Sequence, residues 1–254
     1  MARLPAATAL TPEQIAHFAD HGYLVCETVF RPDEVAACAA AYDACLDDLR
    51  CQNRLANIRP GARDDGTPTR VYQIRCAHLA HPRFDELIRD PRILDPVEQL
   101  IGPNLKLILC QGLHKPPRTG GEIAWHQDDY YFRVSKDNAV VSCWMAFDDA
   151  TLDNGCMWVI PGAHTGLWAH ESLESAGYAM TDPDESRAIP LELNAGQIMF
   201  HHGCTPHRTL PNTTSRPRRA LAIHYMDATA RPLGGNRAAE PPAHMPVVRG
   251  AATA

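Results

Sequence analysis

The chain has nine cysteines but no pair at C-x-x-C spacing. The count is odd, and most of their neighbours are apolar, as in Val25-Cys26, Leu109-Cys110 and Cys143-Trp144. That argues against a disulfide framework and for buried, reduced thiols acting as small hydrophobes. No apolar run approaches the roughly 18 residues of a membrane span. The Ala-rich start, Met1 to Leu10, lacks the longer apolar core of a secretory signal, so a cytoplasmic protein with no membrane partner is expected. A basic excess is also missing. Lys and Arg number 24 against 30 Asp and Glu, a net charge of −6, which disfavours nucleic acid as a partner. What remains is ordinary: 254 residues, 45% hydrophobic and 21% charged. This composition excludes disordered, collagen-like and coiled-coil chains and leaves a globular protein.

The first hundred residues read as helical. Thr11 is placed to cap a helix, with Pro12 in its first position and Gln14 completing a capping box; Ile15 and Phe18 form its apolar stripe and Gly22 ends it. Tyr23-Leu24-Val25-Cys26 then reads as a short strand. A second helix is predicted from about Pro32 to Leu49, with Val35, Cys38, Tyr42 and Cys45 at helical spacing. Residues 52–69 read as a polar loop, and a third helix covers about Ile93 to Leu100. From Leu105 the texture changes to short β-rich runs at 105–113, 122–126, 139–147, 156–160, 197–202 and 219–226, the pattern of an antiparallel sandwich or barrel. The 163–190 stretch is a long insertion of weak periodicity, the kind of loop that is commonly functional. No internal repeat or domain boundary is visible. The expectation is one domain: helices over about 10–102, a β core over about 105–228, and a loosely ordered Pro-, Gly- and Ala-rich tail over 230–254.

The chemistry-bearing residues cluster. Thirteen histidines are unevenly spread, with His201, His202 and His207 inside seven residues and His126 two before Asp128. On a strand, His126 and Asp128 would share a face, so imidazole and carboxylate could grip one cation from adjacent pleats. The triplet alone is weak, since a surface hydrogen-bonded pair would look the same. A third ligand from the His201–His207 region would give two His and one carboxylate, a set that leaves positions open on a six-coordinate ion and marks non-haem Fe(II) oxygenases. Arg218 follows His207 by eleven residues and opens a strand. Its planar fork matches a carboxylate bidentately. His201 and His202 stand as alternatives to His207, and Arg219 to Arg218, although adjacent strand residues face opposite ways.

Taken together, these motifs resemble the phytanoyl-CoA dioxygenase family of Fe(II)/2-oxoglutarate oxygenases, over about Leu10 to Asp227. The residues that carry the likeness are the opening Leu10-Thr11 helix through Gly22-Tyr23-Leu24-Val25, Trp125-His126-Gln127-Asp128, Asn154-Gly155-Cys156-Met157 with Ile160-Pro161-Gly162-x-His164, and His207 through Pro211-Asn212 to Arg218. The resemblance implies a double-stranded β-helix, the jelly-roll or cupin-like core, mainly β with the N-terminal helices packed on one sheet. It implies His126, Asp128 and His207 as catalytic Fe(II) ligands. Arg218 would pair with the far carboxylate of 2-oxoglutarate, Thr209 would donate its hydroxyl to the same group, and Gln111 and Trp144 would contact the cosubstrate. The family's usual His-Gly-Ser is here His207-Arg208-Thr209, and the bulk of Arg208 is expected to alter the pocket rim. His164 is read as structural or substrate-facing, Trp125 and Trp158 as packing, and Arg118, Arg133 and Arg187 as solvated.

The implied reaction consumes Fe(II)-bound 2-oxoglutarate and dioxygen, with ascorbate as an in vitro reductant, and hydroxylates an unactivated C–H bond of a small molecule in biosynthetic tailoring. Relatives that desaturate, cyclise or epoxidise, or that hydroxylate an acyl thioester, are the alternatives. Related halogenases carry a small residue in place of the carboxylate, so Asp128 points to oxygenation. A Zn(II) or Mn(II) β-barrel of other chemistry, and a non-catalytic metal-binding relative, are the competing classes. The pocket is expected between the 52–75 loop, the 129–138 turn and the 163–190 insertion. Arg54, Arg59, Arg63 and Arg70 hint at an acidic group on the substrate. The sequence leaves oligomeric state open.

Overall fold

Two antiparallel sheets face each other, and alternation along their strands decides what lies between them. The computed structural model describes residues 9–27, 29–58, 60–62, 65–173, 177–234 and 242–251. The larger sheet runs in the order Tyr23–Cys26, Ile198–His202, Val140–Ala146, Arg218–Asp227 and Leu105–Lys115, with Tyr72–Arg75 and Val247–Arg249 both pairing with the last of these. The smaller one runs Ile189–Leu191, Met157–Val159, His207–Thr209 and Ile123–His126. This is the expected jelly-roll, cupin-like core.

The long strands of the larger sheet are apolar on both faces because both are covered. Val141, Cys143 and Met145 pack outward with Ile198, Phe200, Leu221, Ile223 and Tyr225 against Tyr42, Phe84, Ile93 and Val97 of the helical layer. The alternate residues, Trp144, Ala146, Met199, Ala220 and Ala222, face Met157, Val159 and Leu191 of the smaller sheet. Because strand residues alternate sides, Ser142, His201, Arg218 and His224 share the inward parity.

The helical layer comprises Pro12–His21, Pro32–Cys51, Pro82–Leu87 and Pro91–Ile101. The first begins as read: the Thr11 hydroxyl accepts from Gln14 N, the Gln14 side chain accepts from Thr11 N, and Gly22 closes it at φ +77°. The last begins two residues earlier than read, because Asp90 caps it and Pro91 takes its first position. Among the described residues no helix is long and apolar enough to cross a membrane. Eight of the nine cysteines are buried and Cys51 is exposed, with no disulfide among the described residues.

Two expectations need correction. The stretch past Ala230 is not uniformly loose, since Val247–Arg249 adds an edge strand to Leu105–Lys115 and Arg249 pairs with Asp95 and Glu98. The 163–190 insertion carries its own hairpin, His170–Ser172 with Tyr178–Met180.

Burial leaves an acid-sensitive signature. It pushes His114, His202 and His207 each down to about 4. In the unfolded chain an imidazole protonates near its ordinary value of about 6.5, so below that pH the unfolded state takes up protons first. Stability should therefore fall as pH drops from about 6.5 toward 4, by about 1.4 kcal/mol per pH unit for each such group. Urea unfolding of the metal-free protein at about pH 7.5 and about pH 5 checks the sign: the midpoint should be lower at the acid pH.

Candidate active site

The strand His207–Thr209 lies between Met157–Val159 and Ile123–His126, and the register sets His207 directly opposite His126. Their rings stand 4.1 Å apart. One ligand atom from each of His126, Asp128 and His207 lies within 4.8 Å of the other two. The i, i+2 spacing predicts His126 and Asp128 on one strand. Instead the strand ends at His126, Gln127 stays extended (φ −121°, ψ 132°) and Asp128 starts the short helix Asp128–Phe132. The two side chains still converge, because one extended residue is enough to preserve the i, i+2 relation. Gln127 is fixed by its own side chain, which donates to Gly166 O and Cys204 O and accepts from Trp168 N.

Backbone carbonyls select the tautomer of both histidines. His126 Nδ1 donates to Ala124 O at 2.8 Å and His207 Nδ1 donates to Thr205 O at 3.0 Å. Nε2 is then the lone-pair nitrogen of each ring, the arrangement found in metal-binding histidines. Asp128 Oδ2 accepts from Ser142 Oγ at 2.7 Å and His201 Nε2 at 2.9 Å, while Oδ1 lies 3.9 Å from His207 Nε2. Burial opposes ionisation of Asp128 most strongly. Its interactions with the facing His224 and His207 rings, and the hydrogen bonds from His201 and His224, outweigh it and hold the carboxyl well below its usual range.

These groups open into a cavity of about 310 Å³ whose wall also carries Thr209, Trp144 and Arg218. Arg218 is fully buried. Its three guanidinium nitrogens, the Thr209 hydroxyl and the Trp144 indole nitrogen have no hydrogen-bond partner among the described residues. The guanidinium carbon sits 5.3 Å from the Trp144 ring. Burial pushes the Arg218 pKa down to about 10. A buried cation with no partner costs several kcal/mol, so this end of the cavity is built to receive an anion. Arg219 faces the other way, as parity requires, and pairs with Asp148 and Asp43.

The loop between Thr209 and Arg218 is held by a buried lysine. Lys115 Nζ donates to Gly121 O (2.5 Å), Leu210 O (2.5 Å) and Thr209 O (3.2 Å). Burial, then the Arg218 charge, lower its pKa, yet three acceptors take the three hydrogens of an ammonium. Asn212 donates to Lys115 O and Arg216 O, which gives the Pro211-Asn212 motif a physical reason: it closes the turn that brings Arg218 back beside Thr209. Lys115→Met should leave three buried carbonyls without donors and cost roughly 3 kcal/mol or more. Equilibrium urea unfolding measures this.

Other expectations fall out as follows. Gln111 lines the cavity, but its amide is engaged: Nε2 lies 3.0 Å from His224 Nε2 and Oε1 accepts from Gln73. Arg208 does not reach the cavity rim. It points outward, pairs with Glu185 and lies over the Trp125 and Trp158 rings, which makes those tryptophans packing residues. His164 bonds Ala19 O and packs beside His202, a structural role. His201 holds Asp128 and His202 accepts from Cys204 N.

The three loops do contribute lining, through Ile58 and Gln73, Tyr131 and Phe132, and Gly177 and Tyr178. Tyr131 Oη donates to Tyr178 O and accepts from Tyr178 N, tying the insertion to the short helix. Arg54 and Arg70 are not among the lining residues, and Arg59 and Arg63 lie outside the described residues. Ser142, His224 and Gln73 were not singled out from the sequence. The signal for the first two was there, since each is a polar residue in an apolar strand at the parity of Trp144 and Arg218.

A model of the phytanoyl-CoA dioxygenase (PhyH) family matches residues 18–220. Phytanoyl-CoA dioxygenase domain-containing protein 1 of Bos taurus is 25% identical over 264 residues, covering 86% of this chain and 91% of the relative. In fold the chain is similar to the non-heme alpha ketoglutarate dependent carbocyclase SnoK from nogalamycin biosynthesis (TM-score 0.79, 23% identity, 97% of this chain and 99% of that one). It is likewise similar to the non-heme alpha ketoglutarate dependent epimerase SnoN from the same biosynthesis (TM-score 0.72, 25% identity, 94% and 98%).

Proposed function

We propose that this chain, which belongs to the phytanoyl-CoA dioxygenase family, holds Fe(II) through His126, Asp128 and His207 and seats 2-oxoglutarate against Arg218, Thr209 and Trp144. Its class is that of an Fe(II)- and 2-oxoglutarate-dependent dioxygenase. The observation that carries the site assignment is the set of orphaned donors at the end of the cavity. To the far carboxylate of a dicarboxylate held at the metal end, Arg218, Thr209 and Trp144 would offer a buried fork, a hydroxyl and an indole N–H, all without hydrogen-bond partners among the described residues. The donor set at the other end, two imidazoles and one carboxylate, fits a ferrous ion with open positions.

When bound, the iron supplies the activation of dioxygen that couples decarboxylation of 2-oxoglutarate to oxidation of the substrate. The residues of the chain do the rest. Ala124 O and Thr205 O fix the imidazole tautomers. Arg218 neutralises and aligns the dicarboxylate, and burial of the cavity wall excludes water. The Tyr131, Phe132 and Tyr178 wall offers aromatic surface to an organic substrate, which supports a small molecule over a long acyl thioester. The fold shared with the epimerase of nogalamycin biosynthesis favours biosynthetic tailoring. Hydroxylation is the primary outcome proposed, with desaturation or ring formation as its alternatives.

The test is a panel of candidate small molecules with Fe(II), 2-oxoglutarate and ascorbate, reading succinate and product mass. Iron-dependent succinate with a gain of one oxygen atom in the product supports the reading. Succinate formation with Zn(II) alone, or none with iron across the panel together with no binding of 2-oxoglutarate, refutes it.

A further inference from the structure

Asp128 is the end of a chain of hydrogen bonds that starts on the cavity wall. Ser142 Oγ lies 2.7 Å from Asp128 Oδ2 and 2.7 Å from His224 Nδ1. His224 Nε2 lies 3.0 Å from Gln111 Nε2, and Gln111 Oε1 accepts from Gln73 Nε2. Ser142 and His224 are buried, and Gln73 and Gln111 line the cavity.

With His224 a neutral imidazole and Asp128 ionised, the proton count along this chain has one solution. An ionised carboxylate only accepts, so the single Ser142 hydrogen lies on the Asp128 side. His224 Nδ1 must then be the donor to Ser142 Oγ, which leaves a lone pair on Nε2. Gln111 meets that lone pair with its amide N–H, which turns its carbonyl oxygen toward the Gln73 amide. Every link donates in the same direction, toward Asp128. His201 adds a second donor to the same oxygen at 2.9 Å. His224 Nδ1 itself also lies 3.3 Å from Oδ2, so the donors gather on Oδ2, and Oδ1 is the oxygen turned toward His207.

We propose that Gln73, Gln111, His224 and Ser142 form a one-way hydrogen-bond relay that positions the Asp128 carboxylate and selects Oδ1 as its metal-binding oxygen. Gln111 is then a positioning residue and not a contact to the cosubstrate. The proposal rests on the assignment of Asp128 as a ligand made above. It differs from that assignment in acting through residues outside the cluster of three ligands.

Two measurements test it. In metal-free protein labelled with 15N-histidine, long-range 1H–15N correlation spectra should show His224, identified by its loss in His224→Gln, protonated at Nδ1 and bare at Nε2. Gln111→Glu replaces the donor by an acceptor and should move a proton onto Nε2. In Co(II) titrations, Ser142→Ala and Gln111→Glu should weaken binding by about 10- to 100-fold, as loss of a residue supporting a metal ligand does, and Ser142→Thr, which keeps the hydroxyl, should restore most of it. Native His224 protonated at Nε2, or a Gln111→Glu variant with an unchanged tautomer, overturns the relay. The expected tautomer with undiminished Co(II) affinity in Ser142→Ala overturns the positioning role. Native protein that binds no Co(II) overturns the ligand assignment itself and the positioning role with it, while the metal-free tautomer measurement still decides the relay.

Discussion

Arg218→Met is expected to abolish tight 2-oxoglutarate binding and, in the ligand-free protein, to raise stability. Both effects follow from one fact: a fully buried guanidinium with no hydrogen-bond partner among the described residues. With the dicarboxylate bound, that guanidinium makes a desolvated, charge-assisted pair. Truncating one side of such a pair costs about 2–5 kcal/mol, or roughly 30- to 4,000-fold in affinity. With nothing bound, the charge carries its desolvation cost uncompensated, and a methionine of similar length removes that cost. Arg218→Lys should not rescue affinity, because an ammonium cannot reproduce the planar fork. Arg219→Ala is the control. Its partners are partly exposed, so it should lose about 1 kcal/mol or less and leave 2-oxoglutarate binding unchanged. Calorimetric titration of 2-oxoglutarate in the presence of Mn(II) and thermal unfolding without it read both halves. A ligand-free Arg218→Met protein that is less stable, with native affinity, would contradict the assignment.

Asp128→Ala is expected to lose metal affinity by more than about 100-fold, since supporting residues alone account for about 10- to 100-fold. Turnover should fall with it. The loss has a second source. Ser142 and His201 both donate to Asp128 Oδ2, and its removal leaves two buried donors without an acceptor, about 1–3 kcal/mol each. Asp128→Asn keeps the volume and one acceptor oxygen, so it should fold better than Asp128→Ala while binding metal almost as poorly. Co(II) titration and urea unfolding separate these contributions. Retained turnover in Asp128→Ala would remove the carboxylate from the site.

The parts of this account legible in the sequence are those that local rules encode. The Thr11–Gln14 capping box, the Gly22 stop and the long apolar strands declare themselves, because capping and period-2 burial leave marks within a few residues. The pairing of His207 with Arg218 was readable as a spacing, and the structure shows what the spacing measures: the length of one turn closed by Asn212 and Lys115 between two strands. The short helix at Asp128 was not readable. Two tyrosines and a phenylalanine after an aspartate suit a strand equally well, and the fixing contacts of Gln127 come from residues some 40 and 77 positions away. The three-residue strands of the smaller sheet carry too little pattern to delimit. The outward turn of Arg208 depends on Trp125, Trp158 and Glu185, which meet only in three dimensions. The resemblance implies Gln111 as a cosubstrate contact; the partnership of its amide with His224 and Gln73 is formed by strands that lie far apart in the chain and leaves no local mark in the sequence.

The proposed site seats a ferrous ion at His126, Asp128 and His207 with a keto acid anchored behind it by Arg218 in one cavity. An anaerobic titration of the native protein with Fe(II) and 2-oxoglutarate, followed by visible absorption, tests it most directly, because charge transfer from iron to a chelated keto acid gives a band that neither component shows alone. This band should appear in the native protein, be absent in His207→Ala, and in Arg218→Met require far higher 2-oxoglutarate. A native protein that binds iron and develops no such band at saturating 2-oxoglutarate would contradict it.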